Sequence, residues 1–410
     1  MAMSRVGVFH PGTQHSWQTA LAFQDVRALR WYATSVFYDS QKWPYRVERF
    51  FLGKSRSRIS REFRRRYSPL LDPKLVRQFG AWEWFETFAR RANLTRFASW
   101  LNLRGNEAYC KAMITLMKTE PVDIVWGYNS SSLELFRWAK PRGIICILDQ
   151  TIGHPAIENQ VMQREFERHS EFFRSDYTPL SSEWIQRQDE ELDLADYVVV
   201  GSDFCRSTLE QVGCPANKIR VVPYGYDATI FDTRKDLQVH PGKPRLLFVG
   251  QVTPRKGVAY LLKASSTLAS HGYQLTIVGG LDIPRTIFDR YAESFTYVPS
   301  MPRSELPKFF EQADIFVFPT LFEGAGLVLF EACAAGLAII QSTNAWPAIS
   351  NGENGRYLNE ISVEALIESV ISLSMDPARL FDMRNASRQA SKGWSWERYR
   401  RDIRQLIADL

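Results

Sequence analysis

Residues 314–336 read DIFVFPTLFEGAGLVLFEACAAG. The first seven form a short apolar run rich in β-branched and aromatic side chains, which reads as a buried strand closing at Pro319 and Thr320. Gly324-Ala325-Gly326 then allows a tight turn, and the spacing predicts a helix beginning near Leu327 and running over Val328–Gly336. A strand-to-helix turn of this kind directs the unpaired N–H groups of the helix's first turn, at the positive end of its dipole, toward any anion beyond the strand. Glu323 lies in the turn and Glu331 about one helical turn into the helix. Leu329, Phe330, Ala332 and Cys333 surround Glu331 with apolar neighbours, which argues against a solvated surface carboxylate. Two carboxylates so placed can grip hydroxyls on different parts of one ligand.

The same rhythm extends through the second half of the chain. Strands are expected at 245–250, 274–280, 295–300 and 337–342, with helices over Val258–Ala269 and Leu306–Gln312. Short apolar strands alternating with helices imply a parallel sheet. In open α/β sheets ligands sit beyond the carboxyl ends of the strands. There the loop Gly250-Gln-Val-Thr-Pro-Arg-Lys-Gly257 offers Arg255 and Lys256, two adjacent cations suited to a diphosphate leaving group. The loop lacks the Gly-Lys-Ser/Thr order of a Walker A motif and is not a G-x-G-x-x-G turn. Taken alone, it reads equally as a solvated cationic turn.

The first half gives strands at SRVGVFHP, 123–127, 143–149, 197–202 and 219–225, with helices over Ser16–Arg30, 131–140 and 181–195. The polar stretch Asp227–Pro244 is a linker by composition. It separates an amino-terminal domain (1–226) from a second one (245–390), followed by a closing helix at 391–410. A helix-like, basic and aromatic insertion occupies 40–120. Of the net charge of +6, the segment 42–66 alone carries +8, from ten basic and two acidic residues, so the rest of the chain is slightly acidic. Phe50, Phe51, Ile59 and Phe63 lie among those cations, the composition of an interfacial helix on an anionic membrane, or of a surface for an anionic acceptor. A solvated helical face has nearly the same claim. Nucleic acid is not an expected partner, because no recognition motif accompanies the charge. The five cysteines, Cys110, Cys146, Cys205, Cys214 and Cys333, show no C-x-x-C spacing. They suggest neither zinc nor a disulfide framework. No apolar run reaches the ~20 residues of a membrane span and no secretory leader is visible, so a cytoplasmic protein is expected, with peripheral contact at the membrane's inner face.

His154 follows a strand end in a Gly-His-Pro turn, where a side chain facing a cleft is plausible, although a lone histidine is more often structural. His10 and His15 flank the first loop and are weaker candidates. No Asp-x-Asp occurs, and no cluster of ligands points to a metal.

In order along the chain, six features resemble glycosyltransferase family 4. They are DYVVVGSDFCRSTL (196–209), VVPYGYDATIF (221–231), FVGQVTPRKG (248–257), the Glu323 and Glu331 pair with EACAAG, NGENGRYL (351–358) and WSWERYRRDIRQLIADL (394–410). The resemblance covers about residues 180–410. It implies the GT-B fold: two Rossmann-like domains facing a central cleft, with the last helix crossing back to the first domain. It implies a retaining glycosyltransferase that uses a nucleotide-diphosphate sugar, a glycan or lipid-linked acceptor, and neither cofactor nor metal. By the same resemblance Lys256 and Arg255 bind the diphosphate, and Glu331 holds the ribose. Glu323 contacts the transferred sugar, and Gly324, Ala325, Gly326, Leu327 and Val328 cradle the distal phosphate. The first domain supplies His154 near the anomeric centre and a loop at Gly12, Thr13 and Gln14. Three departures bear on donor identity. Gln251 stands where an arginine is common, Gly336-Leu-Ala338 replaces Gly-x-Pro, and Asn344-Ala-Trp346 replaces a Gly-Gly pair. Two other classes remain open on sequence: a hydrolase or phosphorylase on the same fold, and a non-catalytic protein that binds sugar nucleotides or membranes. A glycosidase requires two carboxylates ~5–10 Å apart about one bond, and a Glu331 set inside a helix fits donor binding better.

Overall fold

The computed structural model describes residues 4–12, 15–38, 68–79, 95–231, 237, 240, 242–350 and 352–409. Thr13, Gln14 and the basic segment 42–66 lie outside the described residues. The strands are β1 (Val6–Phe9), β2 (Leu29–Thr34), β3 (Val76–Gln78), β4 (Ile124–Tyr128), β5 (Ile145–Gln150), β6 (Tyr197–Val200) and β7 (Ile219–Val221), then β8 (Arg245–Val249), β9 (Gln274–Val278), β10 (Thr296–Val298), β11 (Ile315–Phe318), β12 (Ala338–Ser342) and β13 (Gly355–Leu358). The longer helices are α1 (Ser16–Gln24), α2 (Thr95–Thr119), α3 (Leu133–Ala139), α4 (Pro155–His169), α5 (Ser182–Leu194), α6 (Asp203–Gln211), α7 (Val258–Ser270), α8 (Leu327–Ala334), α9 (Val363–Ser374), α10 (Pro377–Ser391) and α11 (Trp396–Ala408).

Two sheets result. One has seven strands in the order β3-β2-β1-β4-β5-β6-β7, the other six in the order β10-β9-β8-β11-β12-β13. Every pairing in the second sheet is parallel, as are the pairings from β3 through β5 in the first. Both orders reverse direction once, after β1 toward β4 and after β8 toward β11. These reversals are the switch points of doubly wound sheets, where the loops part and leave room for a ligand. The expected α/β class and its two parallel sheets are therefore observed.

The contacts divide the chain into a first unit of residues 1–149, 186–199 and 400–410, and a second of 150–185 and 200–399. Within the first, Arg400 and Arg404 of α11 reach Gln18 at 2.9 Å and Asp25 at 3.3 Å, on and just beyond α1, so the last helix does return to the amino-terminal elements. In the second, α7 and α9 cover the sheet with Leu261, Leu262, Leu366 and Val370, which pack on Leu246, Phe248, Ile277 and Val317. Burying such side chains stabilises a fold by roughly 1.5–3 kcal/mol each. At the amino end of β11, the buried Asp314 receives Arg384 at 2.8 Å, His240 at 2.7 Å and the Arg245 backbone N–H at 2.9 Å. A carboxylate buried this deeply is tolerable because all three partners are present.

The strands at Leu29 and Val76 are not evident from local spacing, and the helix expected over Ser16–Arg30 ends at Gln24. Arg27 takes a left-handed conformation at φ 59°, which halts the helix and releases Leu29–Thr34 as a strand whose core-facing Trp31 and Tyr32 are fully buried. The late turn NGENGRYL contains β13, and a further long helix, α4, follows His154 directly.

Candidate functional site

The site of the second unit grows from the switch point between β8 and β11. After β8 the chain makes a single tight turn, Pro254–Lys256, and Gly257 at φ 69° redirects it into α7. A Cβ at Gly257 would lie 2.0 Å from the Pro319 carbonyl oxygen, so only glycine lets this turn lie against the end of β11. The contact is continued by two backbone-directed bonds. Leu321 N–H donates to the Arg255 carbonyl at 2.9 Å, and Thr320 Oγ1 to the same oxygen at 3.3 Å.

This close approach brings the two cations onto Glu323. Lys256 Nζ ion-pairs with Glu323 Oε2 and lies 4.8 Å from the centre of the Phe318 ring. Arg255 Nη1 donates to the Phe322 carbonyl at 2.6 Å and stands 3.5 Å from Glu323 Oε2. Gly324 N–H reaches Glu323 Oε1 at 3.3 Å. Burial pushes the Glu323 carboxyl upward, but Lys256 and Arg255 outweigh it and hold the group below its ordinary range. Glu323 is thus an ionised carboxylate at neutral pH, fully engaged by cations.

Gly326, at φ 76°, is the residue before α8, and the helix's first residues, Leu327 and Val328, remain partly open. Gly324 could not carry a side chain, because its Cβ would stand 1.9 Å from the Thr151 carbonyl oxygen; Ser202 Oγ donates to the Gly324 carbonyl. Glu331 sits on α8 with its side chain 4% exposed and ion-pairs with Arg303. Burial raises its carboxyl above the usual range, Arg303 works against that, and Asp227 adds to it. Sequence reasoning placed Lys256, Arg255, Glu323 and Glu331 about one site; the structure brings Lys256 and Arg255 onto Glu323 and pairs Glu331, on α8, with Arg303. It missed Arg303, which follows β10 in a stretch with no motif.

His154 is 1% exposed and is the residue before α4. Its Nδ1 accepts from the Ala156 N–H at 3.3 Å, and its own N–H donates to Thr208 Oγ1 at 3.0 Å, so the side chain caps the helix. One turn further, Glu158 faces Arg255 with Oε1 4.0 Å from Nε. Glu158 was also missed, although its position four residues after a capping residue is the signal that could have found it. Asn344 Nδ2 donates to the Leu321 carbonyl at 3.0 Å and so braces the strand-end loop. Trp346 is buried and stacks on Phe330 at 3.8 Å, which makes it part of the core beneath α8 rather than a ligand wall.

In the first unit, Gly12 accepts from Thr34 Oγ1 at 3.3 Å through its carbonyl. His15 Nε2 lies 3.1 Å from Asp149 Oδ2, which also accepts from Trp126 Nε1 at 3.2 Å. Burial lowers the neighbouring His10 to about 4.

Residues 243–376, the second sheet and its flanking helices, match the family described as Glycosyl transferases group 1. A D-inositol 3-phosphate glycosyltransferase of Arthrobacter sp. is 30% identical over 200 residues, 44% of this chain and 47% of that protein. A GDP-mannose-dependent alpha-(1-6)-phosphatidylinositol monomannoside mannosyltransferase of Mycolicibacterium smegmatis is 27% identical over 238 residues, 52% of this chain and 62% of that protein. The chain thus spans about half the length of the curated relatives it matches. A sucrose-phosphate synthase of Thermosynechococcus elongatus superposes with a TM-score of 0.66 at 17% identity, over 99% of this chain and 98% of that one. Anabaena HepE, solved with UDP-glucose, gives 0.62 at 11% identity, over 99% of this chain and 100% of that one. The chain thus has the GT-B fold, and its second sheet with the flanking helices is similar to the Glycosyl transferases group 1 family.

Proposed function

We propose that this chain is a retaining, metal-independent glycosyltransferase. It moves a hexosyl group from a nucleoside-diphosphate sugar to a hydroxyl of a glycan or lipid-linked acceptor in cell-envelope polysaccharide or glycolipid synthesis. The observation that carries the reading is the convergence of Lys256 and Arg255 on Glu323 beside the open first turn of α8. The relatives' names, an inositol-phosphate glycosyltransferase and a GDP-mannose-dependent mannosyltransferase, support the same class of reaction.

In this reading Lys256 and Arg255 bind the diphosphate, Glu331 the ribose hydroxyls and Glu323 the transferred sugar. As the anomeric C–O bond to phosphate breaks, charge grows on the leaving oxygen. Lys256, Arg255 and the N–H groups of Leu327 and Val328 meet that charge from a preorganised, partly dry site. Glu323 is committed to two cations and a backbone N–H, which makes it a poor covalent nucleophile. The acceptor oxygen then attacks on the face the phosphate leaves, and its proton passes to the leaving phosphate oxygen. His154, whose Nδ1 caps α4, stands near the anomeric centre in this reading, and Glu158 faces Arg255 from the same helix. No group of three His, Cys, Asp or Glu side chains that could hold a metal occurs among the described residues. Metal independence is read from the absence of Asp-x-Asp and from cations able to stabilise the leaving group.

The test is a panel of UDP-, GDP- and ADP-sugars incubated with and without candidate acceptors, with nucleoside diphosphate release measured and the first product examined by proton NMR. Release that requires an acceptor and an α-linked product from an α-linked donor are expected, undiminished by EDTA. Release to water or phosphate alone indicates the hydrolase or phosphorylase alternative.

A further inference from the structure

Arg255 has a second side. Away from Glu323 it borders a cavity of about 290 Å³, whose other walls come from α4, the segment that follows it, and the loops after β8 and β9. All of these belong to the second unit. The lining is mixed. Tyr177 and Phe173 supply ring surface, edge to face at 4.7 Å. Asn159 exchanges two hydrogen bonds with the Leu180 backbone, at 2.8 and 2.9 Å, and so fixes the segment carrying those rings. Arg174 is taken up by Asp176 at 3.0 Å. Arg255 faces Glu158 and Arg174 also bears on Asp282, so two cations stand against three carboxylates and the lining carries a net negative charge. Burial raises the Glu158 and Asp282 carboxyls above their ordinary values.

We propose that this cavity binds a neutral sugar unit of the acceptor, about one hexose in size, and rejects phosphorylated or otherwise anionic acceptors. Its designation as the acceptor's site rests on the transfer reaction proposed above. The chemistry fits a neutral sugar on three counts. Tyr177 can cover the apolar C–H face of a pyranose, while Glu158 and Asp282 accept hydrogen bonds from its hydroxyls. The volume lies at the lower end of small-molecule sites, enough for one ring. An anionic group would meet the net negative charge of the lining, and that repulsion supplies the discrimination. Arg255 is shared, so a sugar held here lies beside the cation that faces the donor diphosphate.

The experiment is ligand binding by saturation-transfer NMR to the full chain. The probes are methyl α-mannoside, methyl α-glucoside, methyl β-galactoside, myo-inositol and glucose 6-phosphate. The proteins are the wild type, Tyr177→Ala and Asp282→Asn, each first shown to melt cooperatively. Thermal shift with UDP and GDP runs in parallel. At least one neutral probe should bind, lose at least tenfold in affinity in both variants, and bind at least tenfold better than glucose 6-phosphate. UDP or GDP should still stabilise both variants. Absence of neutral-probe binding, equal affinity in the variants, or preference for the phosphate overturns the proposal. If neutral probes bind as expected but neither nucleotide raises the melting temperature, the donor reading fails and the sugar site stands.

Discussion

Arg303 ion-pairs with Glu331, so a half-exposed cation on the turn after β10 offsets the charge of a carboxylate buried on α8. Removing it leaves burial and Asp227 unopposed, and both push the Glu331 carboxyl further up. If the ionised form holds the ribose, nucleotide affinity is lost as pH falls through that raised value. Arg303→Ala should therefore weaken UDP or GDP binding more at pH 6 than at pH 8. The ratio should grow by up to about tenfold for each unit by which the carboxyl is pushed above pH 6. Calorimetry at the two pH values checks this, and an effect equal at both would show that Arg303 acts on the nucleotide directly.

Lys256→Ala and Glu331→Ala should each lower kcat/KM at least tenfold, about 1.4 kcal/mol of transition-state stabilisation. Near-normal turnover in both would remove these residues from the site. A thermodynamic cycle separates site from scaffold: Glu323→Ala alone leaves Lys256 and Arg255 crowded without their carboxylate. The double variant Lys256→Ala/Glu323→Ala should then be less destabilised than the sum of the singles, as expected for residues in contact. Additive melting shifts would mean the pair is not coupled in solution.

Gly257→Ala should cost on the order of 1–3 kcal/mol, because it combines a left-handed backbone with a Cβ 2.0 Å from the Pro319 oxygen. Gly324→Ala carries a similar clash, at 1.9 Å from the Thr151 oxygen. Both should lower donor affinity along with stability, since each fixes a loop of the site. Gly213→Ala makes the control, because the backbone there is also left-handed, at φ 90°, but the space around it is empty. It should cost less than either.

Glu165 gives a pH dependence of stability. Buried on α4 and accepting from Tyr260 at 2.9 Å, it is raised by burial to about 7. Between its ordinary value and about 7 the native state therefore holds a proton that the unfolded chain has lost. This contribution is fully present below the ordinary carboxyl range and is lost as pH rises through about 7. Glu165→Gln keeps an acceptor for Tyr260 and removes the charge. It should stabilise the protein at pH 8 by on the order of 1–3 kcal/mol and have little effect at pH 4. Denaturant titrations across that range would refute the assignment if the two proteins ran parallel.

The segment 42–66 should draw the protein to anionic vesicles, each exposed Lys or Arg contributing about 1 kcal/mol. Co-sedimentation should rise with anionic lipid, fall with salt, and vanish when Arg64, Arg65 and Arg66 become Glu. A wild type that stays in the supernatant at low salt would leave the patch to the acceptor or to solubility.

Much of the second half was legible because its signals are local. A short apolar run closed by glycine or proline is a strand ending in a loop, and the doubly wound rule says where such loops converge. Lys256 and Glu323 could be found that way, since they lie seven and five residues beyond the ends of β8 and β11, and Glu331 by its place on the helix that follows. The first half was less legible. Leu29–Thr34 became a strand because Arg27 left the helical region, and no spacing announces that.

Sequence alone determined the α/β class, the alternation that makes both sheets parallel, and the residue types at the β8 and β11 loops. Only the tertiary structure decided the pairings. It set Arg303 against Glu331 across 27 intervening positions, stacked Trp346 on Phe330, and gave His154 a capping role. It also opened a cavity between segments that are almost a hundred residues apart in the chain. The physical reason is the range of the forces involved. Periodicity and turn chemistry act between neighbours, whereas ion pairs, stacking and cavities depend on which surfaces the packed core brings together.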